Sequence, residues 1–292
     1  MPPDKFSATW VSHSSISDYL ACPRAYFLKN VYKDPKTNHK IQIVAPALSL
    51  GQAVHEILEG LSTLPTNTRF SESLIERYEK LWPKFSGRAG GFSSPEQEKK
   101  YRDRGAAMLR RVMQNPGPLA QLAVKIKGDL PYFWLSEEDN IILCGKIDWL
   151  QYFPDEGEVR IIDFKTSKTQ ESASSLQLPI YRLLTHHCQK YPVREAAYWY
   201  LELSDELSPK ELPDLEKAEK QVLEIARKIK LARKLEKYAC PEGKSGCRHC
   251  RPFERILAGE GEFLSEDNFR RDLYYLPWSP TELKEADKEE IL

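Results

Sequence analysis

The chain has 292 residues, a length that predicts two domains or one elaborated domain with a substantial buried core. Lysine and arginine together number 43, and so do aspartate and glutamate, so the net charge is zero and overall basicity gives no argument for a nucleic-acid partner. No apolar run approaches the roughly 20 residues of a membrane span. The first five residues lead into no apolar signal segment, so we expect a cytoplasmic protein with no membrane partner.

The N-terminal part of the chain is predicted to be mainly helical. After a short leader over residues 1–14, several N-cap candidates predict a helix that extends to about Tyr32 and kinks or restarts at Cys22-Pro23. Further helical patterns follow a polar stretch at residues 33–40, and they cover residues 48–59, 71–82 and 95–114.

The C-terminal part alternates between strands and helices. An extended pattern at residues 121–135 precedes two apolar strands at 141–150 and 159–162, which a tight Pro/Asp/Gly turn joins. A helix at 172–188, a strand at 196–201 and a helix at 214–238 follow, and this order predicts one mixed sheet flanked by helices. The basic face of the last helix is either solvated or a local patch that meets phosphates. We expect a further helix to start at Ser279-Pro280-Thr281-Glu282, in a charged and frayed tail.

Charged residues interrupt the two apolar strands in the middle of the chain. Asp148 lies within the first strand, and Asp163 and Lys165 end the second. Residues two apart in a strand share a face, so Asp163 and Lys165 point the same way. One interpretation is a structural ion pair at the sheet end. The other is a phosphodiesterase site, in which carboxylates bind Mg²⁺ or Mn²⁺ and a lysine activates water or stabilises phosphate charge.

Three further residues favour the second interpretation. Gln177 and Tyr181 are four residues apart on the helix after the second strand, so one turn would present both towards the strand ends. His55 lies on an otherwise apolar helix, where a lone histidine is more often a core or surface residue. With two carboxylates available it becomes a candidate third ligand, because imidazole suits Mn²⁺.

Four of the six cysteines form a second group. Cys240, Cys247 and Cys250 lie close together in the sequence, and distant Cys22 would complete a set of four thiolates. Zinc and an iron–sulfur cluster are both admissible, since each takes four cysteines. The remaining interpretation is a set of unrelated buried thiols.

The motifs, taken in order, resemble the RecB-like branch of the PD-(D/E)XK nuclease superfamily, which includes the RecB and AddB nuclease domains and the small CRISPR-associated exonucleases. The resemblance spans about residues 14 to 257. It rests on five motifs: Ser17-x4-Cys22-Pro23-Arg24, Gly51-x3-His55, Gly145-Lys146-Ile147-Asp148, Asp163-Phe164-Lys165-Thr166 and Gln177-x3-Tyr181. Many members have Glu where this chain has Asp163, and the superfamily pattern allows either.

The resemblance implies a restriction-endonuclease-like α/β fold with a mixed central sheet flanked by helices. We expect a single nuclease domain over residues 1–292. Its parts would be a helical N-terminal elaboration (14–120), a catalytic core (121–205), a basic helix with a Cys-rich closure (206–257) and a C-terminal tail (258–292).

The resemblance also implies roles for the site residues. His55, Asp148 and Asp163 would bind Mg²⁺ or Mn²⁺, and the backbone carbonyl of Phe164 would be a further ligand. Lys165 would position or activate the attacking water. The catalytic set would be completed by residues that support the site and the DNA backbone, Gln177 and Tyr181.

For the cysteines the resemblance implies a [4Fe–4S] cluster, with zinc as the alternative. Familiar members have C-x2-C followed by a further cysteine, whereas no cysteine follows Cys250. Cys240, which lies on the N-terminal side of Cys247 and Cys250, would take the place of that missing cysteine. The expected ligands are Cys22, Cys240, Cys247 and Cys250.

The implied activity is metal-dependent hydrolysis of DNA phosphodiester bonds, on single strands or ends, in DNA repair and recombination. A helicase or CRISPR adaptation proteins are compatible partners. The alternative is a non-catalytic DNA-binding or assembly subunit of a recombination-repair or CRISPR complex, and a second one is a zinc-stabilised structural protein. The intact set of Asp148, Asp163 and Lys165 favours the enzyme.

Overall fold

A computed structural model of the chain describes residues 4–128 and 130–277. Within these ranges, none of the helices is both long and apolar enough to cross a membrane. The helix expected to start at Ser279 lies outside the described residues.

The helices are α1 (His13–Ala21), α2 (Pro23–Tyr26), α3 (Pro46–Gly60), α4 (Leu74–Leu81), α5 (Pro95–Gln114), α6 (Gln177–Cys188), α7 (Leu215–Leu235) and α8 (Arg251–Leu257). Helices α1 to α7 follow the predicted order, with α2 after the predicted break, and α8 is an additional helix. The strands are β1 (Thr9–Val11), β2 (Lys40–Ile43), β3 (Tyr132–Ser136), β4 (Ile141–Cys144), β5 (Trp149–Phe153), β6 (Glu158–Lys165), β7 (Val193–Tyr200), β8 (Ser208–Lys210), β9 (Glu262–Glu266) and β10 (Arg271–Tyr275).

The described residues form two compact units. The first contains residues 4–13, 50–83 and 102–227, and the second contains residues 14–49, 84–101 and 228–277. The division into parts at residues 120, 205 and 257 within one nuclease domain stays a prediction.

The main sheet of the first unit is mixed, which confirms the predicted fold class. Its strand order is β5-β6-β7-β8, in which β6 runs antiparallel to β5 and parallel to β7, and β8 runs antiparallel to β7. Parallel neighbours need a crossover connection, and α6 lies within the one that joins β6 to β7. A second sheet in this unit has the order β1-β4-β3.

The prediction of one continuous strand over residues 141–150 is wrong. Its first part, β4, pairs with β1 and β3, whereas its second part, β5, pairs with β6 in the main sheet. The chain changes sheets over residues 145–148, starting at Gly145, where a Cβ would lie 2.9 Å from the side chain of Leu184. Asp148 therefore lies in the connection that enters β5, not within a strand.

The second unit contains a sheet that the sequence patterns do not predict. Its order is β2-β10-β9, with β10 parallel to β2 and antiparallel to β9. Strand β9 is almost wholly exposed, so it has no apolar alternation to detect. Strand β1 lies within the predicted leader, and β9 and β10 precede the charged finish, which lies outside the described residues.

The predicted break in the first helix is confirmed at Cys22. This residue is extended, with φ −166° and ψ 116°, and its Sγ accepts a hydrogen bond from the backbone N–H of Ala25 at 3.4 Å. Pro23 occupies the first helical position of α2, where its missing N–H costs nothing. Cys22 is thus an N-cap, and its sulfur faces into the core of the second unit, with Ala25, Leu28, Ile41, Ile43, Phe253 and Ile256.

Helix α5 approaches α4 closely at Gly105. A Cβ at this position would lie 2.2 Å from Oη of Tyr78 and 2.9 Å from Cδ1 of Leu50. The side chain of Tyr78 is fully buried and cannot move aside freely. The absence of a side chain at Gly105 therefore sets the separation of the two helices.

We expect Gly105→Ala to lower the free energy of unfolding by about 1–3 kcal/mol, because overpacking outweighs the gain in helix propensity. Urea denaturation measures the change. Gly60→Ala is the matched control, since no atom lies within 4 Å of a Cβ at that helical position. Equal stability of the two variants would contradict the close packing.

Candidate active site

The predicted site residues of the first unit come together at the end of the main sheet. His55 is on α3, Asp148 precedes β5, Asp163 and Lys165 end β6, and Gln177 begins α6. Tyr181 follows one helical turn after Gln177, as the spacing predicted.

Asp148 connects the start of β5 to the end of β6. Its Oδ2 accepts a hydrogen bond from the backbone N–H of Phe164 at 2.8 Å and lies 3.5 Å from Nδ1 of His55. The carbonyl of Lys165 accepts from Leu201, on the side of β7. Since neighbouring residues of a strand direct their backbone groups to opposite sides, the C=O of Phe164 lies on the same edge of β6 as its N–H, away from β7.

Glu59 is a charged residue of this site that the sequence motifs missed. Its Oε1 lies 3.5 Å from Nδ1 of His55, and its Oε2 forms an ion pair with Lys146. One potential ligand atom from each of His55, Glu59 and Asp148 lies within 4.8 Å of the others. The available signal was the spacing, because Glu59 is four residues after His55 and shares its helix face.

Lys165 is enclosed by three acceptors. Its Nζ lies 3.0 Å from Oδ2 of Asp163, 2.9 Å from Oε2 of Glu171 and 2.5 Å from Oε1 of Gln177. Burial by itself would lower the pKa of Lys165, but the charges of Asp163 and Glu171 outweigh it and raise that pKa above its usual value. Glu171 is a second residue that the motifs missed, because it lies in a loop of no regular spacing.

Gln177 orients both charged groups of β6. Its Nε2 donates to Oδ1 of Asp163 at 2.7 Å and to Oη of Tyr181 at 3.3 Å, while its Oε1 accepts from Lys165. The amide therefore links the carboxylate of Asp163 and the ammonium of Lys165 through hydrogen bonds. All three partners are buried.

The site contains more carboxylates than ammonium groups. Burial and the neighbouring Asp148 raise the pKa of Asp163 to about 7, despite the attraction of Lys165. Among the described residues, Nε2 of His55 and Oδ2 of Asp163 are buried without a hydrogen bond, although Oδ2 keeps its ion pair. Carboxylates and an imidazole with spare capacity are a donor set that fits a divalent cation. The acids are Glu59, Asp148, Asp163 and Glu171, and the amines are Lys146 and Lys165.

The second unit brings the four predicted cysteines together. The sulfurs of Cys22, Cys240, Cys247 and Cys250 all lie within 4.8 Å of one another. Sγ of Cys247 and Sγ of Cys250 are 3.8 Å apart, and the backbone N–H of Cys247 donates to Sγ of Cys250 at 3.3 Å. This group is compatible with a bound metal ion or an iron–sulfur cluster.

The thiols of this group differ in acidity. Burial raises the pKa of Cys22 to about 11 and that of Cys250 to about 12. At Cys247 burial acts in the same direction, but the backbone N–H groups of Cys250 and His249 outweigh it and lower the pKa. A metal that binds these residues as thiolates must therefore displace protons.

A comparison with protein families identifies the chain. Residues 10–255 match the family model of the PD-(D/E)XK nuclease superfamily, and this range includes the whole candidate site and all four clustered cysteines. A search of curated proteins finds no match. Nucleases of this superfamily use divalent metals, in agreement with the carboxylate and imidazole donors around Asp148. The chain belongs to the PD-(D/E)XK nuclease superfamily.

Proposed function

We propose that the protein is a deoxyribonuclease of the RecB-like branch, which hydrolyses DNA at single strands or ends. The superfamily implies a metal-dependent nuclease. The observation that carries the proposal is the convergence of Asp148, Asp163 and Lys165, which the backbone of Phe164 and the amide of Gln177 hold together. The order of the five motifs supports the branch, and the substrate preference follows from that resemblance.

The metal ligands in this proposal are His55, Asp148, Asp163 and the carbonyl of Phe164, with Mg²⁺ or Mn²⁺ as the ion. When bound, such an ion polarises the phosphate and lowers the pKa of a water molecule. The hydrogen bond from Phe164 supports this set, because it brings Asp148 to the edge of β6 on which Asp163 lies. Gln177 keeps Asp163 oriented by its hydrogen bond to Oδ1.

Lys165 supplies positive charge and hydrogen-bond donors to the reacting phosphate or to the attacking water. An ammonium has three donors, and three acceptors already lie within 3.0 Å of Nζ. Contact with substrate therefore requires one acceptor to leave. Glu171 is the most exposed of the three, so a phosphate oxygen would replace its carboxylate, one anion for another. Gln177 and Tyr181 act as positioning residues in this scheme.

We expect Lys165→Ala to reduce Mn²⁺-dependent degradation of labelled single-stranded DNA by at least about 100-fold, because the charge next to the phosphate is lost. Circular dichroism should show an intact fold. Lys168→Ala is the matched control, since Lys168 is an exposed lysine of the same segment, and it should keep wild-type activity. Unchanged activity of Lys165→Ala would contradict the assignment of Lys165.

A non-catalytic DNA-binding or assembly subunit is the competing proposal. It is favoured if the wild-type protein binds DNA and degrades none with either Mg²⁺ or Mn²⁺. The buried network around Lys165 argues for catalysis, because burying charged groups costs free energy that a simple binding surface need not spend.

The preference for ends can be tested with closed substrates. We expect linear single-stranded DNA to be degraded while circular single-stranded DNA of the same sequence survives, since a circle offers no end. Gel electrophoresis of the two substrates under one set of conditions measures the difference. Cleavage of both at equal rates would assign an endonuclease instead.

For Cys22, Cys240, Cys247 and Cys250 we propose a [4Fe–4S] cluster, as the resemblance implies. Zinc is the second candidate, and the short distances between the sulfurs favour it. Ligands at about 2.3 Å from one tetrahedral zinc ion lie about 3.8 Å apart. The sulfurs of Cys247 and Cys250 have this separation. A cluster of four irons is larger than one ion and would need the sulfurs to spread.

We expect Cys250→Ser to lose the bound metal and to melt at a lower temperature, because site formation and folding are coupled. Elemental analysis of anaerobically purified protein measures iron and zinc, and an iron–sulfur cluster adds absorption near roughly 400 nm. Cys188→Ser is the control, since Cys188 lies in α6, apart from the four. Full metal content and stability of Cys250→Ser would contradict a metal site here.

The pathway and partners of this nuclease are part of the same proposal. Repair and recombination with a helicase, or CRISPR adaptation, would each supply DNA ends or single strands. The resemblance to the RecB-like branch is the reason for proposing these two pathways.

A further inference from the structure

Glu59 is an acid in contact with His55 to which neither the motifs nor the proposed ligand set gives a role. It lies one helical turn after His55 on α3, and its side chain is only 18% exposed. A carboxylate so enclosed must be balanced by a cation. Its neighbours define which cation it suits.

The distances from Nδ1 of His55 to two carboxylate oxygens are close to those between ligands of one metal ion. Nδ1 lies 3.5 Å from Oε1 of Glu59 and 3.5 Å from Oδ2 of Asp148. One ring N–H cannot serve both carboxylates at such distances. Two ligands at right angles, each about 2.1 Å from Mg²⁺, are about 3 Å apart. The two distances from Nδ1 therefore exceed this ligand separation by about 0.5 Å each.

The second carboxylate oxygen of Glu59 is paired with Lys146. Its Nζ forms an ion pair with Oε2, and its side chain is 64% exposed. Ion pairs between exposed, flexible lysines and carboxylates are weak and easily exchanged. A divalent cation at Glu59 can displace this ammonium, because it brings more charge to the same carboxylate.

We propose that Glu59 is a further ligand of the metal site and that Lys146 is its exchangeable counter-ion. This inference rests on the proposed function, since it concerns the same metal. Lys146 then competes with the metal for Glu59 and sets the concentration at which the site fills. The two side chains have opposite effects on metal affinity.

Calorimetric titration of the full-length protein with Mn²⁺, in the absence of DNA, measures the affinity for the metal and tests the inference independently of activity. Mn²⁺ prefers oxygen and imidazole ligands, so the cysteines do not compete. We expect Glu59→Gln to weaken binding at least about 10-fold and Lys146→Met to tighten it about 3–10-fold. Glu56→Gln is the control, an exposed glutamate on the same helix, and should bind as wild type.

The double variant distinguishes a direct ligand from a general effect of charge. If Lys146 acts through Glu59, Lys146→Met has no effect in the Glu59→Gln background. If Lys146→Met still tightens Mn²⁺ binding in the Glu59→Gln background, Lys146 is not the counter-ion of Glu59. If Glu59→Gln binds Mn²⁺ with wild-type affinity, Glu59 is not a metal ligand. Thermal melting shows that each variant is folded.

The outcome is separable from that of the nuclease proposal. If Mn²⁺ affinity changes as expected but no DNA is degraded, the ligand stands and the nuclease proposal fails. If DNA is degraded and Glu59→Gln binds Mn²⁺ normally, the nuclease stands and the ligand fails. Absence of any Mn²⁺ binding by the wild-type protein would overturn both.

Discussion

The hydrogen bond from the backbone N–H of Phe164 to Asp148 is the interaction on which the candidate site depends. It ties the connection that enters β5 to the last residues of β6. Without it, Asp148 would lose the contact that fixes it beside β6, whereas Gln177 and Lys165 would still hold Asp163. The break at Gly145 makes the bond possible, because the chain leaves one sheet there and presents Asp148 beside its neighbour.

Charge compensation within the protein is the second constraint. Lys146 is paired with Glu59, and Glu171 is paired with Lys165. Each pair joins a less exposed group of the site to a more exposed side chain of opposite charge. These two pairs therefore neutralise part of the site, and in the proposed function a cation or a phosphate would replace their more exposed members. Such pairs keep charged residues tolerable in a buried position and leave them accessible to ligands.

Sequence reasoning predicted much of this site, because its motifs lie on regular elements. Gln177 and Tyr181 were found from a helical spacing, and Asp163 and Lys165 from the alternation of a strand. The break between β4 and β5 was missed, although Gly145, Lys146 and Asp148 interrupt the apolar pattern there. Glu171 was missed because a loop has no period, and its role depends on where the loop folds back.

The strands of the second unit show a different limit of prediction from the sequence. Strands β2 and β10 come from opposite parts of the chain, and β9 has no buried face of its own. Their pairing depends on contacts between distant residues, which local patterns do not encode. The four cysteines were predictable as a set because their chemistry, not their secondary structure, gave the signal.

The discontinuity of the second unit has a consequence for synthesis. Its strand β10 and three of its cysteines lie after residue 227, while β2 and Cys22 are made near the start. The chain leaves the ribosome from its N-terminus. The segments of the first unit are therefore synthesised before β10, the neighbour of β2 in the second unit. A metal ion or cluster held by all four cysteines could enter only after nearly the whole polypeptide has emerged, so its insertion would be a late step in biogenesis.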